Sequence, residues 1–170
     1  MLIEIQSFFG GATCGTDVKR GQRSVTPPRV AWRKRHDRRD RWRARSIAVK
    51  IPGPEHPITI VPNPNRIRVV FAGRVVAETA RALTLTEANL PMVHYIPRAD
   101  ADMTAFERTA HTTHCPYKGD AAYYSLRVGD RVAVNAVWTY ETPYPAVAAI
   151  RDHLAFYPDR VDCIEEHAAP

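Results

Sequence analysis

The chain has 170 residues, 45% of them hydrophobic, with a net charge of +6, so it is long enough to bury the core of one ordinary domain. No apolar run approaches the 18 residues that a membrane-spanning helix needs, and three scattered cysteines (Cys14, Cys115, Cys163) do not make a disulfide framework. These values exclude a single-pass membrane protein, a disulfide miniprotein and a wholly disordered chain. The odd cysteine count suits a reducing compartment, and the first 16 residues, with Glu4 inside their apolar stretch, make a poor secretory signal. The expected location is therefore cytoplasmic, with no membrane partner.

In chain order, the charge divides first. Residues 1–48 carry 12 Lys+Arg against 4 Asp+Glu, whereas residues 49–170 carry 12 against 14. Most of the positive charge lies in residues 29–45 (RVAWRKRHDRRDRWRAR), where Trp32 and Trp42 sit among arginines. Arginine with an aromatic ring can grip phosphates and stack on bases, so a nucleic acid would be held only through residues 29–45. Against that, like charges repel and no apolar period is present to bury. Residues 1–48 are expected to be a disordered basic extension or translated sequence upstream of a mis-assigned start.

Residues 49–65 (VKIPGPEHPITIVPNPN) hold five prolines, which forbid helix and predict an extended lead-in; residues 58–61 form a short edge strand. Residues 66–72 and 74–78 read as a hairpin turning at Gly73, with Ile67, Val69 and Phe71 on one buried face. Residues 82–88 (ALTLTEA) alternate Leu83, Leu85 and Glu87 and are assigned as strand because Thr84 and Thr86 are β-branched. A further strand follows at residues 92–96. Residues 99–113 are polar, with Met103 and Phe106 as anchors, and read as a connection. Residues 121–128 and 131–139 make a second hairpin around Gly129-Asp130. Val147, Ile150 and Leu154 at spacings of three and four predict a helix over residues 146–157, begun by Pro145 and ended by Pro158. Residues 160–164 return as a last strand, and residues 167–170 fray. Many short strands and one late helix predict a mainly β, antiparallel single domain over residues 49–166.

The densest collection of reactive side chains is residues 111–124 (HTTHCPYKGDAAYY), read as a segment between strands. Three chemistries are weighed there. His111, His114 and Cys115 are zinc-type ligands, but a structural zinc wants two spaced pairs and adjacent His114 and Cys115 point oppositely in extended chain; no metal site and no cofactor are expected. Cys115 beside Lys118 and two histidines is a candidate catalytic thiol for redox chemistry, set against the commoner state of a free cysteine as a small core residue. The leading reading is a pocket for a small polar or anionic molecule. Lys118 and Gly119 present an ammonium and a bare amide there, and Tyr117, Tyr123, Trp138 and Tyr140 form walls. No phosphate loop, G-x-S-x-G or H-E-x-x-H occurs, and Glu165-Glu166 sit in what reads as an exposed tail.

The pieces VKIPGPEHPI, FAGRVVAET, YIPRADADM, HTTHCPYKGDAAYYSL, NAVWTYETPYP and AFYPDRV resemble the domain-of-unknown-function family numbered 427 over residues 49–166. The resemblance implies an architecture similar to the β-tent group, which includes methionine sulfoxide reductase B and the drug-binding domain of cereblon. Many of that group hold zinc through two Cys-x-x-Cys pairs; this chain has none, so the zinc is not carried over. Nor does it show the paired metal-binding carboxylates that a nucleotidyltransferase label, sometimes given to the family, would require. The family's recurrent positions fall on Gly73, Glu87, Tyr95, Cys115, Lys118, Gly119, Tyr123, Trp138, Tyr140 and Pro143. Glycine and proline there are turn residues. Glu87, Tyr95, Lys118 and Trp138 are expected to meet across the sheet, with Lys118 and Glu87 as polar contacts, Tyr95, Tyr123, Trp138 and Tyr140 as walls, and Cys115 at the edge.

Overall fold

The computed structural model describes residues 48–168; the basic segment at residues 29–45 lies outside them. The described chain is mainly β, built from ten strands in two antiparallel sheets. The strands are β1 (Ile58–Pro62), β2 (Arg66–Phe71), β3 (Arg74–Thr79), β4 (Leu83–Glu87), β5 (Val93–Pro97), β6 (Phe106–Cys115), β7 (Gly119–Val128), β8 (Arg131–Thr139), β9 (His153–Phe156) and β10 (Cys163–His167). Seven of them form one sheet in the order β1-β4-β5-β9-β8-β7-β6, and three form a second in the order β10-β2-β3. Open antiparallel sheets of this kind fit a β-tent-like fold.

The small sheet follows from the period-two pattern of RIRVVF. Ile67, Val69 and Phe71 are all but fully buried, and Ala72 and Gly73 both take positive φ (52° and 71°), as a two-residue hairpin turn that matches strand twist requires. These side chains meet Ile96, Tyr124, Leu126, Val137, Leu154 and Phe156 from one face of the large sheet. Phe106 closes this core, edge-on to Tyr124 and Phe156 at centroid distances of 6.2 and 6.0 Å. Burial of each such aliphatic or aromatic side chain stabilises the fold by about 1.5–3 kcal/mol.

Three sequence expectations need correction. The helix predicted over residues 146–157 does not form. Its first half is a 3-10 turn, Pro145–Ile150, broken at Val147 (φ −126°), and its second half is strand β9. Val147 and Ile150 are buried three residues apart, a spacing that a 3-10 turn satisfies as well as an α-helix. Asp152 at φ 58° then redirects the chain into the gap between β5 and β8, where Leu154 pairs with Ile96 on one side and Thr139 on the other. Without β9 the facing edges of those two strands would be left with unpaired backbone groups in the core. The polar connection at residues 99–113, and the supposed loop at residues 111–115, contain strand β6. It is an edge strand whose Glu107, Arg108, His111 and Thr112 are exposed, so its apolar period is lost to solvent, and a register shift between Arg108 and Thr112 interrupts it further. Finally, Glu165 and Glu166 belong to β10, and His167, assigned to a frayed tail, ends that strand. Glu166 accepts hydrogen bonds from Asn63 Nδ2 and Asn65 Nδ2, both at 2.9 Å.

Candidate functional site

The other face of the seven-stranded sheet gathers the residues singled out in the sequence. Alternation along each strand puts Leu83, Leu85 and Glu87 on this face of β4. Tyr95 lies opposite Leu83, the β5–β9 register carries Tyr95 beside Ala155, Ala155 pairs with Trp138, and Trp138 with Tyr123. Tyr95, Ala155, Trp138 and Tyr123 thus form one row across four strands. Cys115, Ala121, Tyr140, Val147 and Ile150 complete the cluster. The 3-10 turn at Pro145–Ile150 covers part of it.

The segment CPYKG explains its own turn. Lys118 N–H donates to Cys115 O at 3.3 Å, closing a β-turn with Pro116 at the second position, where its fixed φ is favoured. Gly119 then takes φ +102°, and a Cβ there would stand 3.3 Å from Thr142 O, so the position needs glycine. Tyr144 N–H donates to Lys118 O at 3.1 Å, fixing the turn to the β8–β9 connection.

That turn delivers Lys118 to Glu87. The ammonium donates to Glu87 Oε2, and the two side chains are 10% and 8% exposed. Glu87 ends β4 and Lys118 immediately precedes β7, second and sixth in the sheet order, so the sheet curls until this ion pair bridges its interior. His56, from the lead-in, bonds Glu87 Oε1 through Nε2 at 2.9 Å and stacks on Tyr117 with centroids 4.0 Å and planes 9° apart. Lys50 Nζ lies 5.6 Å from the same ring centroid. Burial pushes the Glu87 carboxyl up, but the hydrogen bonds and charges of His56 and Lys118 outweigh it and hold the group below its ordinary value.

The aromatic residues are joined by polar contacts. Trp138 Nε1 donates to Tyr95 Oη at 3.3 Å, with the rings edge-on at 6.5 Å. Thr113 and Tyr123 share a hydroxyl hydrogen bond of 2.9 Å, and His111 packs on Tyr123 at 4.5 Å. Tyr157 lies 4.6 Å from Trp138. Burial raises the phenols of Tyr95 and Tyr140 far above the ordinary tyrosine range. Burial also pushes Tyr157 up to about 12, assisted by the neighbouring Tyr123 hydroxyl. All three phenols therefore remain neutral and act as hydroxyl donors or acceptors. Trp138, Tyr157, Thr113 and Tyr117 are half-buried and form the accessible rim, while Tyr95, Tyr123 and Tyr140 form the floor.

Of the residues predicted from sequence, Lys118 with Glu87 and Trp138 with Tyr95 are brought into direct contact, and Tyr123 and Tyr140 join the same cluster. Cys115 is 6% exposed and packed in that cluster. Of the two histidines, His111 packs on Tyr123 at its edge, whereas His114 Nδ1 bonds Asp120 Oδ1 at 2.6 Å. Among the described residues no three His, Cys, Asp or Glu side chains converge as a metal ion would need, and no helix is long and apolar enough to cross a membrane. Sequence reasoning missed His56, Thr113 and Tyr157. The signal for His56 was its place in VKIPGPEHPI; it is 31 residues from Glu87, and nothing local announces their meeting. An open depression of about 350 Å³ lined by Arg66, Glu78, Thr79, Ala80 and Asp100 shares none of these residues. Its charges pair locally, Arg66 with Glu78 and Asp100 with Arg81.

The chain is thus an antiparallel two-sheet β domain whose curled sheet encloses a buried Lys–Glu pair beside a phenol and indole cluster. Residues 59–167 match the model of the family described as a domain of unknown function (DUF427), and the chain belongs to that family. No curated protein matches it.

Proposed function

We propose that this domain binds a small polar molecule at the rim of the curled sheet, against Trp138, Tyr157 and Thr113. The observation that carries the reading is the buried Glu87–Lys118 pair, bonded to half-buried His56, beside the neutral phenols of Tyr95 and Tyr140. A buried ion pair is weak support for stability, because desolvation offsets its attraction. Its placement next to half-open aromatic side chains is the composition of a ligand site, with apolar walls and a few fixed polar groups. Since Glu87 already neutralises Lys118, the site suits an uncharged or zwitterionic ligand better than a simple anion.

The thiol alternative draws less support. Cys115 is packed among Leu85, Tyr95, Tyr123 and Tyr140, Lys118 is bonded to Glu87, and His114 is bonded to Asp120, so neither of those two side chains is directed to the thiol. A cytoplasmic location is part of the same reading.

The test uses the full chain with Trp32→Phe and Trp42→Phe, which leaves Trp138 as the single indole. Nucleosides, neutral sugars, amino acids and dicarboxylic acids are titrated while Trp138 emission and Tm are followed. Binding at 100 times Kd stabilises by about 2.7 kcal/mol, a shift of several degrees. The reading expects one uncharged or zwitterionic class to quench Trp138 and raise Tm, with the Tm gain lost in Trp138→Phe. No response to any class at millimolar concentration overturns it, and a response to dicarboxylic acids alone overturns the preference for uncharged ligands.

A further inference from the structure

Lys118 and Glu87 are largely closed to solvent, and the lead-in, residues 48–56, reaches them through His56, which bonds Glu87 and stacks on Tyr117. We propose that this segment is a lid that lifts from the Lys118–Glu87 pair as a unit while the sheets stay folded; the proposal rests on the reading of this face as a binding site.

The lid is fastened at few points. Lys50 N–H donates to Pro116 O at 2.8 Å, Lys50 Nζ faces the Tyr117 ring, and His56 holds both Tyr117 and Glu87. Inside the segment, Gly53 and His56 exchange backbone hydrogen bonds of 3.3 and 3.0 Å, so residues 53–56 form a small turn that moves together. Pro52 and Pro54 stiffen the segment. Its apolar side chains contribute little to the core: Val49 is 56% exposed and Ile51 82%. A segment with few buried apolar contacts and exposed backbone hydrogen bonds opens below the cost of global unfolding. Its anchored end is also defined, since Ala88 N–H donates to Pro57 O at 2.9 Å and β1 begins at Ile58. The hinge therefore lies at His56-Pro57, beside Glu87. Lifting the lid removes His56 and uncovers the carboxylate and ammonium together, whereas a sheet strand would have to leave its neighbours to do the same.

The experiment measures acetylation of the Lys118 amine in the full chain by peptide mass mapping, across urea concentrations below the unfolding transition. No ligand is added, so the outcome is independent of whether any molecule binds. Tyr117→Leu removes the stack and the Lys50 contact; His56→Ala removes the bond to Glu87 and serves as a second variant should the first not fold. The lid predicts Lys118 labelling that is nearly independent of urea at low concentration and at least tenfold faster in either variant. Labelling that follows global unfolding with its full urea slope overturns the proposal. So does urea-independent labelling that neither variant accelerates, because the opening would then lie elsewhere.

Discussion

Lys118, in the turn between β6 and β7, touches Glu87 of β4 although β5, β9 and β8 lie between β4 and β7 in the sheet, so one ion pair joins the two ends of a curled sheet. Removing one partner leaves the other buried and uncompensated. Lys118→Met is expected to destabilise the fold by about 3–5 kcal/mol. The double variant Glu87→Leu/Lys118→Met removes both charges and is expected to lose less than Lys118→Met alone, although it also strands His56. Urea unfolding of the single and double variants checks this; losses that simply add would show that the pair is not coupled.

The same carboxylate sets an acid limit. Its folded value lies below the ordinary 4.5, so the unfolded chain binds the proton more readily. Glu87 therefore contributes stability above about pH 4.5 that is lost as pH falls through its lower folded value. Glu78, Asp100, Asp102, Asp162 and Glu166 are lowered by their own partners and add to the slope. Glu87→Gln should lower stability at neutral pH and flatten the dependence between pH 5 and pH 3 by roughly one proton's worth. Measuring urea midpoints over that range tests it, and an unchanged slope would mean that Glu87 is not held ionised.

Much of this site was legible because its signals were local or periodic. Ile67, Val69 and Phe71 alternate cleanly since one face of β2 is buried. Leu83, Leu85 and Glu87 share a face for the same reason, and the Pro and Gly of CPYKG mark a turn whose geometry requires them. The unread parts have physical causes. Strand β6 is a solvated edge, so its alternation of His111, Thr113 and Cys115 reads as a polar loop. The Val147, Ile150, Leu154 spacing is helical on paper, but β9 answers a demand from β5 and β8 that no local pattern expresses. The approach of His56 to Glu87 depends on the curl of the whole sheet.

Two backbone positions beside the site should respond oppositely to small substitutions. Gly119 at φ +102° faces Thr142 O, and Gly119→Ala is expected to cost about 1–3 kcal/mol through strain and the close contact. Ala88, immediately after Glu87, sits at φ 44°, a conformation that costs an L-residue about 1–2 kcal/mol. Ala88→Gly removes that strain and gives back about 0.4–1 kcal/mol through the freer unfolded chain, a net gain of up to about 1.6 kcal/mol. Thermal unfolding of both variants decides it; a loss at Ala88→Gly would mean that the alanine methyl makes a contact worth more than its strain.

Tyr95 and Trp138 give the most direct view of the floor. Tyr95 is 1% exposed and its hydroxyl accepts from the indole at 3.3 Å. Tyr95→Phe removes the acceptor while keeping the ring, leaving the half-buried indole N–H to find water or nothing. A cost of about 1 kcal/mol follows if water reaches it and about 1–3 kcal/mol if it does not. With Trp32 and Trp42 replaced by Phe, the emission maximum of Trp138 distinguishes the two cases. A red shift with a small loss means that water enters the rim where the ligand is proposed to sit. An unchanged maximum with a large loss means a dry floor, and the rim would then begin further out, at Tyr157.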